Sequence, residues 1–421
     1  MKLVVVGQGY VGLPMALRAA EVGIEVIGLD LNKETVESIN QGESHIDDVS
    51  QLELRRALEH GYRASADYAD VSGADVVVVC VPTPLSSHGG PDLQAVKGAA
   101  ASISEHVSPG TLCILESTTY PGTTEEVFEP IINRGRWKVG EEIFFAFSPE
   151  RIDPGNRHYG VRNTPKVVGG LTENCTNRAS SFYAHFVDTV VPAKGCREAE
   201  MAKLLENTFR HVNIALVNEM VRFCNELDID LWNAIDCAES KPFGFMAFRP
   251  GPGVGGHCIP VDPSYLSHRV KAELGYAFRM VELAEEINHA APQYVAERAR
   301  EILNDAGLAV KGARLLLVGV SYKPDISDRR ESPADPLAAY LHRWGAKLSY
   351  YDPHVPVWCP EGLGGLKYFS VESLREAAEN VDLVILLQNH RVVSLEELAL
   401  ANARVLDTKA AMDAGPLVAR L

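Results

Sequence analysis

Short, almost wholly apolar runs recur along residues 1–190 and again after residue 311, each followed by a stretch with helical spacing. In the first region the runs are KLVVVG, EVIGLD, ADVVVVCVP, TLCILEST, EIFFAFSPE and KVVGG. A strand with one wet face alternates apolar and polar residues, so runs this apolar predict strands covered on both faces of a parallel sheet. Their alternation with helical patterns predicts repeated βαβ units. From Lys311 the pattern returns in ARLLLVGV, KLSYYDP, DLVILLQ and RVLDT, this time without a GxGxxG. Between the two regions, residues 197–228 contain no Gly or Pro and place Met201, Leu204, Leu205, Phe209, Val212, Ala215 and Leu216 at helical spacing. That spacing predicts one long helix. A further helix is expected from about Tyr276 to Asn304, bent near Pro292. The fold class that follows is α/β: two Rossmann-like, doubly wound domains joined by a central helical segment, divided at 1–195, 196–305 and 306–421.

Composition narrows the role. The chain has 421 residues, 46% hydrophobic and 23% charged, an ordinary globular mix with enough length for more than one core. The formal net charge of -16 argues against a general nucleic-acid binder and against an anionic membrane surface, yet leaves room for a small phosphorylated ligand at a local basic site. The cysteines are Cys80, Cys113, Cys175, Cys196, Cys224, Cys237, Cys258 and Cys359, with no CxxC and no zinc-like spacing. Most read as small buried apolar residues in a reducing compartment, the cytoplasm, with no metal centre. MKLVVVGQGYVG leaves no room for a signal peptide, and no apolar run of about 18 residues follows.

VVVGQGYVG puts Gly7, Gly9 and Gly12 directly after a strand and at the start of a helical pattern. In a dinucleotide fingerprint the first glycine makes the tight turn, the second lets a pyrophosphate approach the backbone, and the third lets helix and strand pack closely. The second strand ends in Asp30, eighteen residues after Gly12. A carboxylate there can bind ribose hydroxyls and repel a 2′-phosphate, which favours NAD over NADP. Lys33 is the residue that could reach a 2′-phosphate instead.

Polar groups gather in ESTTYPGTT (116–124), FSPERIDPGN (147–156) and EMAKLLEN (200–207). The first two follow strands, where open α/β sheets bind ligands. Lys203 and Asn207 are spaced i, i+4 and share a helix face, with Glu200 and Glu206 as candidate partners for Lys203. In GPGVGGHCIPVDP (251–263), Gly253, Gly255 and Gly256 read as clearance for a ligand. Its thiol, Cys258, is either a nucleophile or a turn cysteine without chemistry. SYKPDISDRRESP (321–333) carries Lys323, Arg329 and Arg330 after a strand, as an anion site or a charged surface loop.

In this order the segments resemble the UDP-glucose/GDP-mannose dehydrogenase family from end to end: GQGYVGLPMA, VPTPL, ESTTYPGTTEEV, SPERIDPGN, KLLENTFRHVNIALVNEM, GPGVGGHCIPVDP and SYKPDISDRRESP look like its successive motifs. The resemblance implies a nucleotide-sugar 6-dehydrogenase. It oxidises a primary alcohol to a carboxylate with two NAD, through an N-terminal NAD domain, a helical dimerisation segment and a C-terminal nucleotide-sugar domain. It implies Cys258 as nucleophile, Lys203 and Asn207 as stabilisers of developing oxygen charge, Asp262 as a helper to water or to Lys203, and Thr118 and Glu150 in proton transfer through water. Cofactor contacts would come from Gly7, Gly9, Tyr10, Val11, Gly12, Asp30, Lys33, Pro82, Thr83, Thr118 and Arg330. The substrate, a UDP-sugar, would meet Glu150, Arg151, Lys203, Asn207, Phe248, Gly255 and Lys323. The partner expected is a second copy of the chain, as a homodimer or higher homo-oligomer. Many UDP-glucose enzymes carry a lysine before the aspartate; here Val261 precedes Asp262. His257, Val261 and SPERIDPGN look more like the branch acting on UDP-N-acetylglucosamine or UDP-N-acetylmannosamine, leaning to the former. Arg249 stands where that type often has tyrosine, so UDP-glucose and dTDP-sugars stay open, as does, more remotely, a two-electron hydroxyacid-type dehydrogenase.

Overall fold

The computed structural model describes residues 1–421 except 47–48, 87–89, 154–155, 157 and 257–258. Cys258, and His257 beside it, therefore lie outside the described residues. The chain divides into two compact units, Met1–Glu206 with Ser264–Tyr276, and Asn207–Pro263 with Ala277–Leu421.

The first unit is built on β1 (Lys2–Val6), β2 (Glu25–Leu29), β3 (Arg63–Ser65), β4 (Val76–Val79), β5 (Leu112–Leu115), β6 (Phe144–Phe147), β7 (Lys166–Gly170) and β8 (Val190–Pro192). They form one sheet in the order β3-β2-β1-β4-β5-β6-β7-β8, parallel except between β6 and β7. The apolar runs become strands because each strand feeds two cores. Leu3 and Val5 join one apolar layer with Met15 and Phe182, while Val4 and Val6 join the layer on the other face with Ala100 and Phe145. The strand order reverses between β1 and β4, so the crevice at their carboxyl ends is the expected ligand position. The short strands β3 and β8 extend the six expected ones, and the antiparallel β7 departs from the all-parallel expectation.

The second unit carries β9 (Arg314–Val318), β10 (Lys347–Tyr351), a small antiparallel pair β11 (Val357–Trp358) and β12 (Tyr368–Phe369), then β13 (Leu383–Leu386), β14 (Val405–Asp407) and β15 (Val418–Arg420). The main sheet is parallel, ordered β10-β9-β13-β14-β15, with an apolar layer on each face. Its reversal lies between β9 and β13, and SYKPDISDRRESP begins shortly beyond β9.

The Gly- and Pro-free stretch forms one helix, Cys196–Glu226, and the later one runs Arg279–Asp305 with Pro292 inside it. Proline has no N–H for the carbonyl four residues back, that of Asn288. In the second unit Asn288 ties the two helices together: its amide donates to the His211 carbonyl oxygen at 3.1 Å and faces His211 Nδ1 at 3.4 Å, while its Oδ1 accepts from Asn218 at 3.0 Å. Asn218 Oδ1 in turn accepts the Gly251 N–H at 3.0 Å, which fixes the start of the glycine-rich loop.

Burial pushes the His211 imidazole down to about 4, so the folded state holds it neutral where an unfolded chain, at 6.5, takes up a proton. The associated stability is present above about pH 6.5 and is lost as pH falls toward about 4, by on the order of 3 kcal/mol. Urea titrations from about pH 7 to about pH 4 should show that loss in the wild type and a flatter profile in His211→Gln. Equal slopes would contradict it.

Candidate functional site

The glycine turn of the first unit is shaped for a dinucleotide. Gly7 has φ +93°, and a Cβ there would lie 2.7 Å from the Cys80 carbonyl oxygen; on Gly12 it would lie 1.9 Å from the Gly7 oxygen. Those two glycines serve chain packing. A Cβ on Gly9 would meet nothing within 4 Å, so this is the open face where a pyrophosphate can come against the backbone. The helix that follows, Gly12–Glu21, has no side-chain cap and no acidic residue in its first turn, so nothing there opposes an anion at its positive end. Asp30, at the end of β2, accepts the Gln8 N–H at 2.9 Å and the Asn32 N–H at 2.9 Å, one on each carboxylate oxygen, which aims it. Each oxygen keeps a lone pair for a ribose hydroxyl. Lys33 is exposed at the start of helix Lys33–Asn40, while Val11 is half-buried and Tyr10 packs against the apolar core. These residues fit NAD.

Two loops of the same unit are sewn together beside the turn. Thr83 Oγ1 donates to the Thr118 carbonyl oxygen at 2.8 Å, Ser117 Oγ to that of Val81 at 2.7 Å, and Tyr265 OH to that of Thr83. Pro82 stays exposed.

At the ends of β5, β6 and β7 lies a cluster of charges whose carboxylates come from ESTTYPGTT and FSPERIDPGN and whose lysine no motif of the sequence marks. Lys166 Nζ stands 3.1 Å from Glu116 Oε1 and 3.3 Å from Glu150 Oε2. Tyr183 OH donates to Glu116 Oε1, and Cys80 Sγ faces Glu116 Oε2 at 3.9 Å. The backbone N–H groups of Arg151, at 2.6 Å, and of Ile152 donate to Glu150 Oε1. Burial pushes Glu116 up against the pull of Lys166. It works against the Lys166 charge too, but Glu116 and Glu150 outweigh it and hold the ammonium above the ordinary lysine range.

Helix Cys196–Glu226 carries Lys203 and, one turn on, Asn207. Neither glutamate expected as a partner of Lys203 is one. Glu200 is buried and accepts from Gly122 N at 2.5 Å, Thr124 N at 2.9 Å and Thr124 Oγ1 at 2.7 Å, anchoring ESTTYPGTT to the helix; burial raises it to about 7 against those three bonds. Glu206 pairs with Arg151 at 2.7 Å. Lys203 is buried, and among the described residues no ion pair or hydrogen bond holds it. In the second unit Asn207 Nδ2 donates to Asp262 Oδ2 at 2.6 Å; both are buried, Asp262 at the start of helix Asp262–Leu274.

The glycine-rich loop corrects one expectation. A Cβ on Gly255 would lie 2.6 Å from Tyr322 Cβ and 2.7 Å from the Glu331 carbonyl oxygen, and one on Gly256 would lie 2.7 Å from the Tyr322 ring. Gly256 N–H donates to the Arg330 carbonyl oxygen at 2.9 Å. The missing side chains make room for SYKPDISDRRESP, not for a ligand.

Arg330's own guanidinium pairs with Asp328 at 2.6 Å, Lys323 is half-buried, and Phe248 stacks edge-on against Phe209 at 5.7 Å. Arg249, exposed, pairs with Asp236 at 2.8 Å and Glu239 at 3.0 Å. Lys409, absent from the expected site residues, lies with its Nζ 3.5 Å from where a Gly251 Cβ would stand, and burial pushes it down to about 8 against Asp407. Its only signal in the sequence is a lysine at the strand end after RVLDT. Asp325, His354 and His390 bring ligand-capable atoms within 4.8 Å of one another, but His390 already accepts from Asp325 N and faces Asp352 at 3.2 Å, and Asp325 pairs with Arg391 at 2.5 Å. Of the described cysteines, Cys113, Cys175, Cys196 and Cys224 are buried, Cys80 is half-buried, and Cys237 and Cys359 are exposed.

A glycine turn fitted to a dinucleotide, in an open sheet with its strand reversal beside it, defines an NAD-dependent α/β dehydrogenase. The matching family models are the UDP-glucose/GDP-mannose dehydrogenase NAD binding domain over residues 1–187, the central domain over 197–290 and the UDP binding domain over 316–414. The chain belongs to the UDP-glucose/GDP-mannose dehydrogenase family and is an NAD-dependent nucleotide-sugar dehydrogenase. It is 32% identical over 392 residues to the UDP-N-acetyl-D-mannosamine dehydrogenase of Pyrococcus horikoshii, covering 93% of this chain and 90% of that one. It is 34% identical to the Escherichia coli protein of the same name, covering 92% and 93% of the two chains. The solved structure of the Pyrococcus horikoshii enzyme matches with a TM-score of 0.89 at 30% identity, over 100% of this chain and 99% of that one. Among the described residues no helix is long and apolar enough to cross a membrane.

Proposed function

We propose that the protein oxidises C6 of an N-acetylated UDP-hexosamine from alcohol to carboxylate in two steps at one site. The observation that carries this reading is Lys203, buried with neither neighbouring glutamate as its partner, on the helix that also presents Asn207. A lysine held in place by burial of its stem, with its ammonium not engaged by those carboxylates, is available to a ligand or to charge that develops in the reaction. Bound NAD supplies the acceptor for the hydride that leaves C6, twice per sugar. Gly7, Gly9, Tyr10, Val11, Gly12 and Asp30 would hold it, with Pro82, Thr83 and Thr118 alongside and Lys33 and Arg330 at its margins. Cys258 adds through sulfur to the C6 aldehyde as a thiohemiacetal; loss of the second hydride leaves a thioester, and water releases the acid and the thiol. Lys203 and Asn207 donate to the oxygen on which charge develops, Asp262 orients Asn207, and Glu150 and Thr118 order the water that moves protons. Arg151, Phe248, Lys323 and Lys409 complete the substrate contacts.

Relatives named for UDP-N-acetyl-D-mannosamine, at 32% and 34% identity over most of their length, support that sugar ahead of UDP-N-acetylglucosamine. The functional division we infer is 1–195, 196–305 and 306–421. An exposed stripe of Met201, Leu205, Phe209, Leu216 and Phe223 along one helix supports a homodimer, and a cytoplasmic setting suits the free thiols. The test is NADH released per sugar consumed across UDP-, dTDP- and GDP-sugars. Two NADH and an acid are expected with an N-acetylated UDP-sugar; one NADH, or turnover confined to UDP-glucose, would overturn the reading.

A further inference from the structure

The charge cluster at the ends of β5, β6 and β7 contains more than proton transfer by one carboxylate requires. Glu116 and Glu150 share a single ammonium, Lys166. The Glu116 side chain is sealed, at 0% exposed, whereas that of Glu150 keeps 12%. Glu116 therefore cannot reach a substrate, and Glu150 can. The groups facing the pair come from four elements: Lys166 from β7, Tyr183 from helix Glu173–Tyr183, Cys80 after β4, and the Arg151 backbone, whose side chain is turned to Glu206.

We propose that Lys166 and Glu116 are positioning residues for Glu150: the ammonium orients its carboxylate, and the sealed Glu116 remains as counter-ion when Glu150 takes a proton. With both carboxylates ionised the three groups carry one net negative charge. When Glu150 accepts a proton from water they become neutral, and Lys166 is still paired. Without Glu116, the same proton transfer would strand a buried ammonium, which low-dielectric surroundings oppose. Two backbone N–H bonds to Glu150 Oε1 fix one oxygen, and Lys166 engages the other. This inference rests on the reading of Glu150 as a proton-transfer group.

The experiment is the pH dependence of kcat/KM for the full-length enzyme with NAD and UDP-N-acetylmannosamine, or whichever sugar the stoichiometry assay identifies. Lys166→Met is expected to move the acid limb to higher pH by at least about one unit, because an opposite charge at this distance is lost. Glu116→Gln is expected to move it to lower pH, because Lys166 then serves Glu150 alone. Lys166→Arg should restore the wild-type limb. If Lys166→Met fails to fold, the double variant Glu116→Gln/Lys166→Met removes the pair as a unit and should still show an upward shift. A purely structural pair would lower melting temperature and leave the limb in place, which overturns the proposal. Glu150→Gln separates the two ideas. If it abolishes the limb while the Lys166 and Glu116 variants leave it unmoved, only the positioning role falls. If it keeps wild-type turnover and limb, the role of Glu150 itself falls.

Discussion

Replacing Cys258 by serine is expected to lower acid formation by roughly 10³-fold or more, and to cut NADH release from two per sugar to at most one. The physical reason is the second oxidation. An aldehyde has no hydride to give until a nucleophile has added to it and made its carbon tetrahedral. A thiol with an ordinary pKa of about 8.5 supplies some thiolate at neutral pH, and a serine hydroxyl supplies almost no alkoxide. The first oxidation does not need the sulfur, so aldehyde should be trapped by hydroxylamine in the variant and not in the wild type. NAD affinity should be unchanged, since the Gly7–Gly12 turn is built without the thiol. Undiminished acid formation by the serine variant would remove the thiol from the chemistry.

Lys203→Met carries the second largest effect, and its sign differs between activity and stability. Turnover should fall by about 10²–10³-fold, the usual consequence of losing one donor to a developing oxyanion. Melting temperature should hold or rise. Lys203 is buried, Glu200 is committed to Gly122 and Thr124, and Glu206 to Arg151, so the wild type keeps an ammonium that neither glutamate compensates. Methionine fills similar volume without a charge to desolvate. A variant that lost stability and kept turnover would mark Lys203 as structural. Thermal melts and initial rates on the same preparation decide between them.

Much of the scaffold was legible because its signals are local. The apolar runs that became β1, β2, β4, β5, β6 and β7 each announce burial on two faces, and the Gly7–Gly12 spacing sits directly after the first of them. The three-residue strands β3, β8 and β15 were not legible, whereas the equally short β14 was, from RVLDT. The site was legible where chemistry and motif coincide, as at Lys203, Asn207 and Glu150. It was not where meaning depends on which strands become neighbours. Lys166 begins KVVGG and looks like a polar strand end; only the sheet order puts it between Glu116 and Glu150. Glu200 and Glu206 were plausible partners for Lys203 by spacing, and tertiary bonds to Thr124 and Arg151 took both away. The glycines at 255 and 256 were read for the right property, absence of bulk, and assigned the wrong neighbour.

That neighbour sets an order of assembly. Tyr322, Arg330 and Glu331, against which Gly255 and Gly256 close, leave the ribosome roughly 65–75 residues after the glycines do. Until they have emerged, the backbone at Gly255 and Gly256 has no mould. A nascent or truncated chain ending before Ser321 is expected to complete the Gly7–Gly12 turn and bind a dinucleotide, while Gly255 and Gly256 still lack the segment they pack against. The enzyme thus acquires its cofactor turn early in synthesis and the packing of its glycine-rich loop only near the end.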